Sequence, residues 1–132
     1  MGTGSRGIAP RKILVVDDNA DTAETLAMLL ETAGHAAEFV SDPRAVLATA
    51  TRQRPDAVFL DIGMPYLDGF ELAAILKRAF PGICIVAITG RESEEDRKRG
   101  RQAGFDAYVL KPVDFALVES ILATMFPPGE AR

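Results

Sequence analysis

The sequence predicts an α/β domain of three layers, in which a five-stranded parallel sheet is covered by five helices on both faces. Five short apolar segments alternate with five segments whose apolar residues recur at helical spacing, and this alternation is typical of parallel sheets. The segment 57–60 is continuously apolar, which suits a strand buried on both faces. Right-handed crossover connections are expected between successive strands.

The five strands are predicted at 12–16, 35–40, 57–60, 83–88 and 106–110. The fourth, I-C-I-V-A-I, is the most strand-like segment of the chain, and 35–40 is a weaker one. The third strand is followed by a carboxylate, Asp61, and then by Gly63 and Pro65, which force a loop. An ionised carboxylate at the end of a buried strand is costly unless something compensates its charge.

The helices are predicted from capping residues and chain breakers. Asp18, Asn19 or Asp21 caps the first helix, and Gly34 ends it. The second helix opens with Asp42-Pro43, in which the aspartate is the cap and the proline is the first helical residue. The last three helices are expected after Asp68-Gly69, over 92–102 with Gly104 as its stop, and after Asp114.

Length, composition and charge bound the function classes. With 132 residues, 48% hydrophobic and 26% charged, the chain fits one soluble domain, which we place at 11–126 between a flexible lead-in at 1–10 and a tail at 127–132. The net charge of −4 argues against a nucleic-acid surface. The single Cys84 suits a reducing compartment, and no apolar run approaches the ~20 residues of a membrane span. We therefore expect a cytoplasmic protein with no nucleic-acid or membrane contacts.

Polar side chains follow four of the predicted strands. Because the carboxyl ends of parallel strands share one edge of the sheet, these side chains should converge there: Asp17 with Asp18, Asp61, Thr89 and Lys111. Three carboxylates ~5 Å apart would repel by roughly 3 kcal/mol per pair at an effective dielectric near 20. Raised pKa values or a divalent cation such as Mg²⁺ would relieve that repulsion. The set suits phosphoryl transfer onto a carboxylate.

Four motifs of the chain strongly resemble the receiver domain of two-component response regulators: V-V-D-D-N, V-F-L-D-I-G-M-P-Y-L-D-G, A-I-T-G and Y-V-L-K-P. They occur in the family's order and spacing over nearly the whole chain. The resemblance implies a flavodoxin-like fold with strand order 2-1-3-4-5. It also implies a signalling switch in which Asp61 accepts a phosphoryl group from a phosphohistidine on a histidine kinase or histidine phosphotransfer protein.

The same resemblance assigns a metal site to the acidic residues. By the family's pattern, Mg²⁺ (or Mn²⁺) is held by Asp17, Asp18, Asp61 and the backbone carbonyl of Gly63. Such a domain catalyses only its own phosphorylation and dephosphorylation, so we expect no turnover of an external substrate.

The resemblance also assigns the residues that would respond to the phosphoryl group. Lys111 would pair with the phosphoryl oxygens, and Thr89, followed by Gly90, would donate a hydrogen bond to them. Tyr108 occupies the family's switch aromatic position and would turn inward when Thr89 moves, although an edge-strand aromatic is also ordinary packing. The bond before Pro112 is usually cis in the family.

Three residues near Asp61 and Thr89 differ from those that are commoner in the family. Gly63 leaves no side chain two residues past Asp61, Gly90 replaces an alanine, and Arg91 follows it. In the family these neighbours tune the lifetime of the phosphoaspartate. The charged run 91–99 is most simply a solvated helix face with i,i+4 pairs. A role in partner choice is the alternative interpretation of this run.

Other functions are open at this point. The chain could be a pseudo-receiver that is never phosphorylated and acts as a scaffold, or a small phosphohydrolase with an aspartate nucleophile. Against the phosphohydrolase, no cap or lid segment is evident in the sequence. The stretch 87–106 resembles receivers at the C-terminus of hybrid histidine kinases, so a fragment of such a kinase is a further option. A homodimer is expected through the face formed by the fourth helix, fifth strand and fifth helix.

Overall fold

The computed structural model describes residues 9–64, 67–90 and 93–127. The strands are Lys12–Val16 (β1), Ala36–Val40 (β2), Ala57–Asp61 (β3), Cys84–Thr89 (β4) and Ala107–Leu110 (β5). They form one parallel sheet in the order β2-β1-β3-β4-β5. The predicted fold class and strand order are confirmed. The fourth strand lies one residue later than predicted, so that it ends on Thr89.

The helices between the strands are Ala20–Thr32 (α1), Val46–Gln53 (α2), Gly69–Ala79 (α3), Glu94–Ala103 (α4) and Phe115–Met125 (α5). The side chains of Asn19, Asp68 and Asp114 accept hydrogen bonds from N–H groups of the helical turn that follows. These bonds satisfy donors that have no partner within the helix. Gly104 ends α4 in the left-handed conformation, with φ 103°.

Two helix starts differ from the prediction. Asp42 caps the expected segment, but Pro43–Ala45 form a 3₁₀ turn, closed by a hydrogen bond from the Val46 N–H to the Pro43 carbonyl, and α2 begins only at Val46. The helix α4 begins at Glu94 because the Ser93 hydroxyl oxygen accepts a hydrogen bond from the Asp96 N–H at 3.0 Å. The predicted start at 92 lies outside the described residues.

Alternate strand residues point to opposite faces, so the sheet carries a hydrophobic core on each side. On one face Leu14 packs with residues of α2 and α3, including Leu76. On the other face Ile13 and Phe59 pack with α1 and α5. Every residue of β3 is buried, which explains its continuous apolar sequence. The carboxylate of Asp61 therefore ends the most buried strand of a three-layer domain.

The predicted ends of the domain fall largely beyond the part that the structure describes. Residues 1–8 of the lead-in and 128–132 of the tail lie outside the described residues, so the boundaries at 10 and 127 stay predictions. Within the described ranges, no helix has the length and apolar character that a bilayer span requires.

Candidate functional site

Three carboxylates meet at the carboxyl edge of the sheet. Asp17 directly follows β1, Asp18 is the next residue, and Asp61 is the last residue of β3. Each offers an oxygen atom that lies within 4.8 Å of an oxygen of the other two. Asp17 and Asp61 are buried, at 1% and 3% exposure, whereas Asp18 is exposed. The structure thus brings together the acidic residues that the sequence predicts.

Backbone N–H groups orient the two buried carboxylates. The N–H of Asn19 donates to Asp17 Oδ1 at 2.9 Å, and the N–H of Gly63 donates to Asp61 Oδ1 at 2.8 Å. In both residues this contact fixes one oxygen. Gly63 therefore contributes to the site through its backbone N–H, although it has no side chain.

Lys111 lies next to the other oxygen of each buried carboxylate. Its Nζ is 3.0 Å from Asp61 Oδ2 and 3.7 Å from Asp17 Oδ2. The shorter contact is a charge-assisted hydrogen bond, whereas the longer one is an ion pair without a hydrogen bond. Oδ2 of Asp17 is buried and has no hydrogen-bond partner among the described residues. The single ammonium group therefore does not satisfy both carboxylates.

The surroundings of Asp17 and Lys111 raise the pKa values of both groups. Burial raises the pKa of Asp17, and the charge of Asp61 adds to the rise, although the Asn19 hydrogen bond opposes it. Burial would lower the pKa of Lys111, but its hydrogen bond to Asp61 and the charges of Asp61, Asp17 and Asp18 outweigh that effect, and the net shift is upward. The site is short of positive charge.

The acidic cluster fits a hard divalent cation. Carboxylate oxygens are the ligands that Mg²⁺ prefers, and Mn²⁺ accepts the same donors. The orphaned buried oxygen of Asp17 is an atom that such a cation would satisfy. Asp17, Asp18 and Asp61 are therefore suited to hold Mg²⁺ or Mn²⁺, and the Gly63 carbonyl as a further ligand stays a prediction.

Thr89 and Gly90 lie on the neighbouring strand end. Thr89 is the last residue of β4 and is buried, and its carbonyl accepts a hydrogen bond from the Lys111 N–H at 2.8 Å. Gly90 is exposed, and a Cβ at its position would meet nothing within 4 Å. A larger residue would therefore fit at 90. Arg91 lies outside the described residues, as does Pro65.

Tyr108 and Pro112 are placed on and after the edge strand β5. The Tyr108 hydroxyl donates a hydrogen bond to the Asp96 carbonyl of α4 at 3.1 Å, so the ring is directed at that helix. The Lys111–Pro112 peptide bond is cis. Lys111 thus lies between an edge-strand aromatic and a cis proline, on the short segment that leads from β5 to α5.

A cleft of about 420 Å³ opens beside this site, and sequence reasoning did not find it. It lies between α1 and the residues after β5, and its lining includes Thr22 and Leu29 of α1, Val113, Asp17 and Lys111. Only the docking of α1 against the loop after β5 creates it. Of the three clustered carboxylates, Asp17 lines the cleft, beside Lys111.

A doubly wound sheet with buried aspartates and a lysine at its carboxyl edge defines a receiver-type α/β domain. The sequence model of the response regulator receiver domain matches residues 13–123, and the chain belongs to that family. It is therefore a signalling domain of two-component systems, a class that is distinct from classical enzymes.

The chain is similar in sequence to longer proteins of the same family. It is 41% identical over 116 residues to the response regulator MprA of Mycolicibacterium vanbaalenii, which covers 88% of this chain and 49% of the relative. It is 36% identical over 115 residues to the transcriptional regulatory protein PrrA of Mycobacterium tuberculosis, covering 87% of this chain and 48% of that protein. The chain spans about half the length of the curated relatives it matches.

Solved structures show the same fold. The chemotaxis protein CheY4 of Vibrio cholerae aligns with a TM-score of 0.84 at 27% identity, covering 89% of this chain and all of that one. The CheY-like receiver domain protein of Methanospirillum hungatei aligns with a TM-score of 0.80 at 29% identity, covering 89% of this chain and 94% of its own.

Proposed function

We propose that Asp61 accepts a phosphoryl group from a phosphohistidine on a partner histidine kinase or histidine phosphotransfer protein. The observation that carries this proposal is the Asp61 carboxylate itself. It is buried, held through Oδ1 by the Gly63 N–H, and contacted at Oδ2 by the Lys111 ammonium within a cluster of three carboxylates. A nucleophile needs this combination of fixed orientation and nearby positive charge.

In the proposed step a carboxylate oxygen of Asp61 attacks the phosphorus atom of the phosphohistidine. The phosphorus–nitrogen bond breaks, and its electron pair stays on that nitrogen, so that the leaving group is a neutral imidazole with its proton on the other ring nitrogen. Lys111 is placed to donate to a phosphoryl oxygen, because its Nζ is already 3.0 Å from Asp61 Oδ2. Catalysis then consists of positioning and charge neutralisation.

The cation is proposed as Mg²⁺ or Mn²⁺, held by Asp17, Asp18 and Asp61, with the Gly63 carbonyl as a further ligand. When bound, it would neutralise the carboxylates and the incoming phosphoryl oxygens together. The Asn19 N–H keeps Asp17 oriented toward the cluster. Without the cation, three carboxylates would repel a phosphoryl group.

The output is proposed as a population shift of the face formed by α4, β5 and α5. A phosphoryl group adds about −1.5 to −2 charges beside Thr89 and Lys111. Thr89 would hydrogen-bond to it, and Tyr108 would follow that movement. Leu110 and Leu117, exposed at 45% and 42%, lie on β5 and α5 and support a homodimer through this face.

The relatives suggest where the signal goes next. They are about twice as long as this chain, and PrrA is named a transcriptional regulatory protein. We therefore propose that in a longer protein the receiver controls a second domain that acts on DNA, which makes this arrangement preferable to the hybrid-kinase fragment. The receiver itself, with a net charge of −4, is not proposed to bind nucleic acid. Its proposed location is the cytoplasm.

The test is the intact mass of the protein after incubation with Mg²⁺ and a small-molecule phosphodonor such as acetyl phosphate. We expect one added phosphoryl group on the wild type, none on Asp61→Asn, and none with a chelator present. Asp56→Asn is the matched control, because Asp56 lies at the opposite end of β3 and accepts a hydrogen bond from the Lys12 N–H that asparagine can keep. It should be phosphorylated like the wild type.

The alternatives predict other outcomes. A wild type that gains no phosphoryl group from the small donor or from phosphorylated kinases, and that does not bind Mg²⁺, would be a scaffold. Continuous release of phosphate from phosphoesters under multiple-turnover conditions would indicate a phosphohydrolase.

A further inference from the structure

The helix α4 has a glycine in its interior, at Gly100. Glycine is a poor residue for helix interiors, because it loses much conformational freedom there. Gly100 is the one buried residue of α4. Its φ is not positive, unlike that of Gly104 at the helix end. Backbone conformation therefore does not explain the glycine, and the space around it does.

The missing side chain of Gly100 is replaced by two aromatic rings. A Cβ at this position would lie 1.5 Å from the Tyr108 hydroxyl oxygen, 2.7 Å from Tyr108 Cζ and 2.7 Å from Phe105 Cδ2. None of these distances is compatible with a real side chain, and both rings are bulky. Tyr108 can take its observed orientation only because residue 100 is glycine.

The Tyr108 ring lies against Gly100, Asp96, Arg97 and Phe105, and we call this place the Tyr108 seat. The hydroxyl donates to the Asp96 carbonyl at 3.1 Å. The ring packs edge to face with Phe105, with centroids 5.7 Å apart, and the Arg97 guanidinium lies 5.6 Å from its centroid. The seat thus ties β5 to α4 through one side chain.

We propose that Gly100 is a positioning residue, whose lack of a side chain sets the population of Tyr108 in its seat. Any side chain at 100 would drive the ring out and release β5 from α4. In this respect the inference rests on the proposed function, in which phosphorylation of Asp61 shifts the same tyrosine. Phosphorylation would then have to move Tyr108 out of its seat.

The first test reads the orientation of Tyr108 directly. The chain has two tyrosines, so Tyr66→Phe protein labelled with 3-fluorotyrosine reports Tyr108 alone by ¹⁹F NMR. Gly100→Ala should move this resonance with no phosphodonor present. Lys98→Ala, an exposed alanine substitution on the same helix, should leave it in place. An unchanged resonance in Gly100→Ala would overturn the inference.

A second measurement keeps the proposal testable if Gly100→Ala is poorly folded. In a Tyr108→Leu background the seat is empty and Phe105 has room to shift, so Gly100→Ala should raise the melting temperature as helix propensity predicts. In the wild-type background Gly100→Ala should lower the melting temperature. A change of melting temperature with the same sign in both backgrounds would contradict the proposed role of Gly100.

The phosphodonor separates this inference from the proposed function. With Mg²⁺ and acetyl phosphate, the parent resonance should move toward the position seen for Gly100→Ala without donor. If intact mass shows no phosphoryl group on Asp61, the proposed function fails. The comparison of the Gly100→Ala and parent resonances without donor still tests the role of Gly100. If the mass increases and the parent resonance stays, the link between seat and phosphorylation is refuted.

Discussion

The ammonium nitrogen of Lys111 lies 3.0 Å from Oδ2 of Asp61, although the two residues are 50 positions apart in the sequence. This contact joins the ends of β3 and β5, which are separated in the sheet by β4. Among the described residues, Lys111 is the one lysine whose ammonium group contacts the acidic cluster, and its Nζ also lies 3.7 Å from Asp17 Oδ2. Removal of Lys111 therefore tests the site without altering its carboxylates.

We expect Lys111→Met to slow phosphorylation of Asp61 by about 10²-fold, which is typical for loss of one positioned donor to a reacting oxyanion. The substitution keeps much of the aliphatic stem and removes the charge. The measurement is the rate of phosphoryl uptake by intact mass at saturating Mg²⁺. Lys111→Arg is the matched control and should retain more of the rate, because it retains the charge. Equal rates for wild type and Lys111→Met would refute the assigned role.

Asp17→Asn should stabilise the metal-free protein by about 1–3 kcal/mol, because it removes one of three crowded carboxylates. The asparagine Oδ1 can still accept from the Asn19 N–H. Urea unfolding in the presence of a chelator measures this change. Mg²⁺ should stabilise the wild type, since a ligand of the folded state does so, and should stabilise the variant much less.

The same comparison has a pH signature. The folded pKa of Asp17 is raised, so the folded state binds this proton more readily than the unfolded state. Its contribution to stability is present below the ordinary pKa and is lost as pH rises through the folded pKa. The stability gain of Asp17→Asn should therefore shrink as the pH falls toward 4. A gain that does not change with pH would argue against charge repulsion as its cause.

His35 should make stability fall as the pH drops below its ordinary pKa of 6.5. Its Nδ1 accepts a hydrogen bond from the Arg11 N–H at 3.0 Å. Burial lowers the pKa of His35, and the Arg11 charge lowers it further, against the opposing effect of Glu119. The unfolded state then binds the proton first, so stability present above the ordinary value of ~6.5 is lost as pH falls toward the folded pKa.

His35→Asn keeps an acceptor near the position of Nδ1 but does not titrate. Urea unfolding from about pH 7.5 to pH 5 should give a flatter stability profile for this variant than for the wild type. Parallel profiles would show that His35 is not the titrating group. Because His35 lies at the amino end of the sheet, phosphorylation of Asp61 should not change.

Asp106 should stabilise the amino ends of β4 and β5. Its Oδ2 accepts hydrogen bonds from the Ile85 N–H at 2.8 Å and from Lys77 Nζ at 2.9 Å. Asp106→Ala would leave the buried Ile85 N–H without this acceptor, so we expect a loss of about 1–3 kcal/mol in the free energy of unfolding. Asp106→Asn keeps an acceptor and should lose less. Chemical denaturation measures both, and equal losses would assign the effect to the charge pair with Lys77.

Local sequence was sufficient for most of the fold. The five strands, the cap at Asp114 and the stop at Gly104 follow from residue types over a few positions, and all of them are confirmed. The convergence of Asp17, Asp61 and Lys111 also follows from the sequence, because parallel strands bring their carboxyl ends to one edge. These features depend on short-range preferences and on one topological rule.

Contacts between distant segments could not be predicted from the sequence. The half-buried His35 accepts a hydrogen bond from the Arg11 N–H, a contact that no local pattern predicts, and Tyr108 could be placed on β5 but not in its seat over Gly100. Such contacts depend on how helices dock on the sheet, and a few ångströms of docking decide which atoms meet. The sequence alone therefore determined the sheet, its order of elements and the acidic edge, whereas only tertiary packing decided which partner each side chain has.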